Sequence, residues 1–431
     1  MFFVTIILVS LTTIYVVLKI LNYLKTVPDL YLLQQSYPDT TRLPNESPIY
    51  HSTKSPTGLR LGLDIRYDHY KIRRGNCNDI WEIAMKNGGS RGIYVGDEFV
   101  EFATINYYIS QSQEQCDAIN IPVDYQIDGH WVIVVLIGLV KQIPLQFYDK
   151  QEPSTGKSIS QIKLPHAQQL HEFNNVYTAD KDKGITIKFD KSVKLGIDVV
   201  VDFTQLNLIS AVASSIKHLP VDYTNKSITI VSSPDFAGVS NTIVKLLMAL
   251  VCQMKVHIKE KAPTFETDIT TLPESKATLT DLAWKQNIKL YFLGLGIFSS
   301  EKLVYVYSPA SHPQLTSSQL NHLRIVTDSH VIREYYTYNI FGPILTTDYY
   351  EYRTYTRQFG VIPQSLEMKV NNLDANGIGS LLVRGYTIGK STNYLNGKEQ
   401  EQEQNENSNG DGFMPVNIRG KWGTDGCLYL I

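Results

Sequence analysis

Between Asp202 and Tyr336 the apolar pattern of the chain changes period in regular succession. DFTQLNLISAVASSIKHL has helical spacing, SITIVSSP is a short apolar run, TIVKLLMALVCQM is helical again and KVHI is a second short run. The same theme returns after residue 300 as LVYVYSPAS, TSSQLNHLRIV and SHVIREYY. Strands separated by helices of this length cannot pair as hairpins. They are expected to form a parallel sheet with helices on its faces, which places the chain in the α/β class. At 431 residues there is room for two or three domains.

The flanks extend this reading. NDIWEIAMKNGG from Asn76 predicts a short amphipathic helix with a polar cap and a glycine stop. GIYVGDEFVEFAT predicts a hairpin about Gly96-Asp97, and TINYYISQSQEQCDAI a helix with Ile105, Tyr108, Ile109, Cys116 and Ile119 inward. HWVIVVLIGLVKQIPLQFYD is too apolar for a surface helix and is expected to be a buried helix running into a buried strand. Beyond Thr346 the character shifts to LEMKV, GSLLVRGYTI and CLYLI, short strands with Gly and Asn turns. An α/β core over 76–345 and a smaller β-rich section over 346–431 follow. KEQEQEQNENSNG (398–410) is low-complexity and polar, and is expected to be a disordered loop.

The N-terminus is distinct. MFFVTIILVSLTTIYVVL carries no charge, and with Lys19 snorkelling the apolar run reaches Leu24. That length suits a single transmembrane helix over 1–25. No basic region precedes it and no small-residue cleavage site follows, which disfavours a cleaved signal peptide. Lys19, Lys25 and Arg42 all follow the segment, so the positive-inside rule puts the body in the cytosol. A buried core helix is the alternative. Residues 26–75, rich in Pro, Ser and Thr over their first half, read as a tether.

Several functions are disfavoured by composition and spacing. The net charge of −2, without a basic tract, gives nucleic acid no electrostatic footing. Cys77, Cys116, Cys252 and Cys427 are dispersed, against both a disulfide framework and a zinc site. PSTGKS at 153–158 has Gln151 where a Walker loop needs its first glycine. The ten histidines make no H-x-x-x-H pair, and no catalytic triad can be proposed.

Function enters through the order of several short stretches. VYTADKDKG is followed by FTQLNLISAV, IVSSPDFAGV, SPASHPQLTSSQL, REYYTYNIFGP, GSLLVRG and DGFMPVNIRGKWGTDGCLYLI. In that order they resemble the adenylate-forming superfamily, most closely the membrane-associated long-chain fatty acyl-CoA synthetases, from about Asn76 to Ile431. The resemblance implies the N-terminal core of such an enzyme, stacked sheets flanked by helices plus a small β subdomain. It also implies ATP, magnesium and coenzyme A as the ligands of an active member.

The family's phosphate loop reads Tyr-Thr-Ser-Gly-Thr-Thr-Gly-x-Pro-Lys-Gly. Here Tyr177 and Thr178 match, but Ala179 and Asp180 replace the serine and first glycine. Lys181 and Asp182 occupy the hydroxyl positions, and Lys183 precedes Gly184. Small residues let backbone N–H groups close on phosphate. Asp180 and Asp182 instead set negative charge there, at a cost of about 4 kcal/mol for one like-charge pair near 4 Å and an effective dielectric near 20. Two further motifs lose their histidines, as Thr204-Gln205-Leu206-Asn207-Leu208 and Ser233-Pro234-Asp235-Phe236-Ala237. In Arg333-Glu334-Tyr335-Tyr336-Thr337-Tyr338-Asn339 the resemblance gives Tyr335 the adenine-stacking place, while Asn339 replaces the magnesium-binding glutamate. Asn417 falls at the family's ribose-binding aspartate.

After Ile431 the family continues into a hinge and a C-terminal subdomain that brings the catalytic lysine. The stretch 260–310 is also shorter than the family's substrate-tunnel region. These departures lead to the expectation of a catalytically inactive relative, with no catalytic residue, cofactor or metal. It would sit on the endoplasmic reticulum, a lipid droplet or the outer mitochondrial membrane as a scaffold or regulator of active acyl-CoA synthetases. An active fatty acid–CoA ligase with altered nucleotide use and an acyl-chain-binding module remain as alternatives.

Overall fold

The computed structural model describes residues 2–431 apart from 26, 28–29, 41, 56–57, 65, 69–70, 87–90, 113–116, 151, 165, 167, 177–181, 195–196, 220–224, 261–264, 278–283, 298–301, 312–314, 396–397 and 401–411. Strands and helices are numbered in chain order. One sheet runs in the spatial order β17 (Pro343–Thr346), β16 (His330–Tyr336), β15 (Leu303–Pro309), β14 (Ile269–Pro273), β12 (Ser227–Val231), β13 (Lys255–Lys259), β5 (Gly92–Val95), β6 (Glu98–Glu101). Its six central strands are mutually parallel, and only β17 and β6 at the edges are antiparallel. That is the parallel sheet expected from the alternating pattern.

A second sheet runs β22 (Lys398–Gln400), β21 (Lys390–Leu395), β11 (Ile197–Thr204), β10 (Ile185–Lys194), β8 (Leu145–Tyr148), β7 (Ile119–Pro122), β9 (Lys157–Ser158). A third is wholly antiparallel: β1 (Ser36–Pro38), β2 (Tyr50–Ser52), β19 (Leu366–Asn371), β20 (Gly379–Gly385), β23 (Met414–Trp422), β24 (Leu428–Leu430), β18 (Phe359–Gly360). A two-strand ribbon, β3 (Arg66–Asp68) and β4 (Lys71–Arg73), completes the strands.

The largest core joins the first two sheets through α2 (Cys77–Lys86), α3 (Phe102–Gln111), α4 (Gly129–Lys141), α5 (Gln205–His218) and α6 (Phe236–Val251). α4 is apolar almost all round because it is buried almost all round, and α6 is buried from Phe236 to Leu250. Their starts are fixed by side chains: Asp128 Oδ1 accepts from the Trp131 N–H at 2.7 Å, and Asp235 Oδ1 from that of Gly238 at 2.6 Å. Asp235 thereby begins α6 at Phe236, ahead of the apolar run TIVKLL. α7 (Trp284–Gly294) packs on α8 (Ser317–Thr327) at the periphery.

Four boundaries differ from expectation. Residues 26–75 are not simply a tether. β1 and β2 extend the third sheet, Glu46 is buried against Lys369 (2.9 Å), and the Tyr50 ring stacks on Trp422 with centroids 3.8 Å apart. Proline-rich composition hid an edge hairpin whose stability comes from this tertiary pairing. The β-rich section is not self-contained either, because β21 leaves it to pair with β11 of the second sheet. The helix expected out to Ile119 ends at Gln111; Cys116 lies outside the described residues and Ile119 opens β7. Of the expected disordered loop, 398–400 form β22 and 401–410 lie outside the described residues.

At the N-terminus α1 is helical over Phe2–Leu24. Among the described residues no helix is long and apolar enough to cross a membrane. The expected span counted side chains from Met1, and those of residues 1–4 lie outside the described set.

Candidate functional site

In an open parallel sheet, ligands bind in the crevice beyond the carboxyl ends of the strands. The expected nucleotide residues should converge there, after β12 and β16 and before β10. Thr178 and Lys181 lie outside the described residues. Lys183 and Gly184 are exposed just ahead of β10, and the neighbouring Asp182 carboxylate accepts from Asn76 Nδ2 at 3.2 Å. Thr204 and Asn207 form a capping box for α5, and Asn207 Nδ2 also donates to the Tyr386 carbonyl at 2.7 Å. Asn339, half-buried after β16, accepts at its carbonyl from the Gly389 N–H at 3.0 Å, so Asn207 and Asn339 meet the same turn. Asn417 is exposed on the outward side of β23.

Tyr335 is elsewhere. β16 continues through Tyr336, and strand alternation turns Tyr335 into the core shared with the third sheet, where it is 0% exposed. Its hydroxyl donates to Gln358 Oε1 at 3.1 Å and the Arg333 guanidinium lies 5.0 Å from its ring centroid. Burial pushes the phenol well above its ordinary range. Tyr336, at a family glycine, turns the other way and is also buried. Phe236 and Phe341 join Phe189 and Phe203 in an aromatic cluster with centroids 5.0–6.0 Å apart, filling the core between α6 and β10. Of the residues expected to meet ATP and magnesium, Tyr335 is inside the core and Asn339 offers an amide. No group of three His, Cys, Asp or Glu side chains among the described residues could hold a metal ion.

Behind β16 lies a buried polar network unforeseen from the sequence. Lys245 Nζ on α6 donates to Glu334 Oε1 at 2.6 Å, both side chains being at most 2% exposed. Asn241 Nδ2 and the Tyr336 hydroxyl donate to Glu334 Oε2 at 3.2 and 3.0 Å, and Thr271 Oγ1 donates to Asn241 Oδ1 at 2.9 Å. The ammonium lies 3.5 Å from the Tyr305 ring centroid. Desolvation lowers the Lys245 pKa, and Glu334 opposes that shift. A lysine inside VKLLMAL and a glutamate inside HVIREYY were the visible signals: charges in otherwise apolar runs are affordable only when paired.

Two cavities adjoin these elements. One of about 360 Å³ lies in the carboxyl-end crevice, with Val123, Ile127, Trp131, Val239 and Ile258 on its apolar side and Ser232, Ser233 and Lys276 on its polar side. The other, of about 430 Å³, lies at the C-terminal end of α5, with Tyr31, Gln35, Tyr37 and Ser52 among the residues facing it. Lys54, His218 and Asp348 line it; Lys54 Nζ donates to the His218 carbonyl at 2.6 Å, and His218 Nε2 lies 3.1 Å from the Thr347 carbonyl. Desolvation, then Lys54, depresses the His218 pKa well below its usual value; desolvation raises that of Asp348. α5 has 14 residues, so this cavity lies about 20 Å along the helix from the Asn207 end.

This architecture is that of the N-terminal core of adenylate-forming enzymes. The chain is similar to o-succinylbenzoate CoA synthetase (MenE) of Bacillus subtilis with TM-score 0.56 and 13% identity, covering 81% of this chain and 77% of that one. It is similar to the luciferase-like enzyme of the mealworm Zophobas morio with TM-score 0.57 and 11% identity (86% and 98% covered), and to MatB of Rhodopseudomonas palustris with 0.57 and 10% (83% and 78%). Identities this low establish the fold alone. No known family signature matches the sequence. The protein YHR045W of Saccharomyces cerevisiae is 30% identical over 131 residues, 27% of this chain and 23% of that protein's length.

Proposed function

We propose that this chain is a non-adenylating relative of the long-chain fatty acyl-CoA synthetases, attached to a membrane through α1 with its body in the cytosol. There it acts as a scaffold or regulator of active synthetases on the endoplasmic reticulum, lipid droplets or the outer mitochondrial membrane. The observation that carries the reading is the burial of Tyr335. An adenine could reach that ring only by separating β16 from the third sheet. Attachment is supported by α1, on which Ile6, Leu8, Leu11, Ile14, Leu18 and Tyr23 all stand 49–88% exposed. A contiguous apolar surface of this kind needs an apolar partner.

Calorimetric titration of the full chain in detergent with ATP and magnesium tests the reading, alongside AMP release with a long-chain fatty acid and coenzyme A. No saturable heat down to a Kd of about 1 mM and no AMP are expected. Binding tighter than that, or fatty acid-dependent AMP, would overturn it in favour of an active ligase. Acyl-chain binding without nucleotide is a second reading, favoured by the half-apolar crevice cavity. Saturable binding of a fluorescent fatty acid, weakened by Val239→Trp, would support it, and unchanged binding in that variant would exclude the cavity.

A further inference from the structure

α7 reads WKQNIKLYFLG, and its two sides differ. Leu293 faces the body and is 3% exposed. Trp284, Ile288 and Tyr291 are spaced four and three residues apart, which puts them on one face, and they stand 69%, 48% and 70% exposed. Lys285 and Lys289 flank this stripe, Lys289 Nζ lying 3.3 Å from Asp328 at the surface, and the helix contains no acidic residue. An aromatic and aliphatic stripe edged with lysines matches the headgroup layer of a bilayer, where amphipathic rings settle and anionic lipids attract the amines.

Position selects this occupant over another protein. A methyl group placed on Gly296, two residues past α7, would lie 3.3 Å from Cε of Lys25, the residue that follows α1. The end of α7 and the base of the apolar N-terminal helix are thus neighbours, and exposed Leu30 and Leu33 follow within eight residues of Lys25. A membrane holding α1 would meet α7 at its surface.

We propose that α7 is a second, interfacial contact, lying in the headgroup layer of an anionic bilayer beside the base of α1. The proposal rests on the attachment of α1 and adds the orientation of the body. Trp284 is a direct probe, because Trp81 and Trp131 are buried and Trp422 is half-buried on Tyr50. The full chain is reconstituted into phosphatidylcholine vesicles with or without phosphatidylserine, some carrying brominated acyl chains, and separated by flotation.

The expected result is co-flotation with a blue-shifted emission component quenched by the brominated lipid. That component should be absent in Trp284→Phe, and should weaken in Lys285→Glu/Lys289→Glu and without phosphatidylserine. Co-flotation with Trp284 emission unquenched would overturn the contact of α7 while leaving α1 in place. Equal quenching in neutral and anionic vesicles would overturn the anionic preference. Failure to float would overturn the attachment of α1 and this inference with it.

Discussion

Glu334 accepts three hydrogen bonds at 2% exposure, and the charge of the fully buried Lys245 is tolerable only because of it. Removing one partner strands the other, so Lys245→Met should cost about 3–5 kcal/mol in denaturant unfolding. Lys245→Met/Glu334→Leu should cost clearly less, since Asn241 Nδ2 keeps the Tyr336 hydroxyl at 3.0 Å. A double variant as unstable as the single one would show that shape, not charge, is the constraint. His218 gives a pH dependence. Its folded pKa lies below the unfolded value near 6.5, so the unfolded chain takes up the proton first as pH falls. Stability relative to His218→Gln should decline below about pH 6.5, by at most about 1.4 kcal/mol per pH unit. The slope should be shallower because His218 keeps part of its surface in the cavity mouth. A flat difference between the two pH profiles would contradict the depressed pKa. Tyr335 shows where sequence stopped being informative. Its place in a motif is legible, but a strand has two faces, and which one a ring takes depends on how far the strand runs.

At the scale of elements, most of the helices and strands were legible because each carries its own period and caps. α4 and β8 emerge where an unbroken apolar run predicted a buried helix leading into a strand. α6 begins where Asp235 can take the Gly238 N–H, and Ser233 Oγ also donates to that carboxylate at 2.8 Å. Asp235→Ala should therefore cost about 1 kcal/mol in thermal or denaturant unfolding, and Asp235→Asn much less. Equal losses would mean that charge matters more than the cap. The residues that the resemblance sets at a histidine-bearing family motif are thus occupied in starting a helix. What composition concealed were β1 and β2, whose short polar strands have no period to detect. They hold together because Tyr50 meets Met368 and Trp422 across the sheet, partners more than 300 residues away.

For the whole molecule, the third sheet is the element that a reading by segments would detach, and its contacts argue otherwise. Ile340, Ile344 and Leu345 around β17 share one apolar cluster with Met368, Val370, Leu381 and Val383 of the third sheet. The Gln364 N–H donates to Ser214 Oγ on α5 at 3.0 Å, and β21 crosses from the third sheet's connection into the second. Two apolar clusters that meet at β16, one reaching the second sheet and one the third, should open together. Denaturant unfolding followed by far-ultraviolet circular dichroism and by tryptophan emission should give coincident transitions, with Trp422 reporting the third sheet and buried Trp81 and Trp131 the helical layer. A Trp422→Phe variant separates the two signals. If Trp422 loosens at lower denaturant than Trp81 and Trp131, the third sheet is an independent unit, and Tyr335 would be uncovered whenever it lifts. Coincidence keeps Tyr335 sealed for as long as the protein is folded, so its burial becomes a property of the fold and not of one closed state.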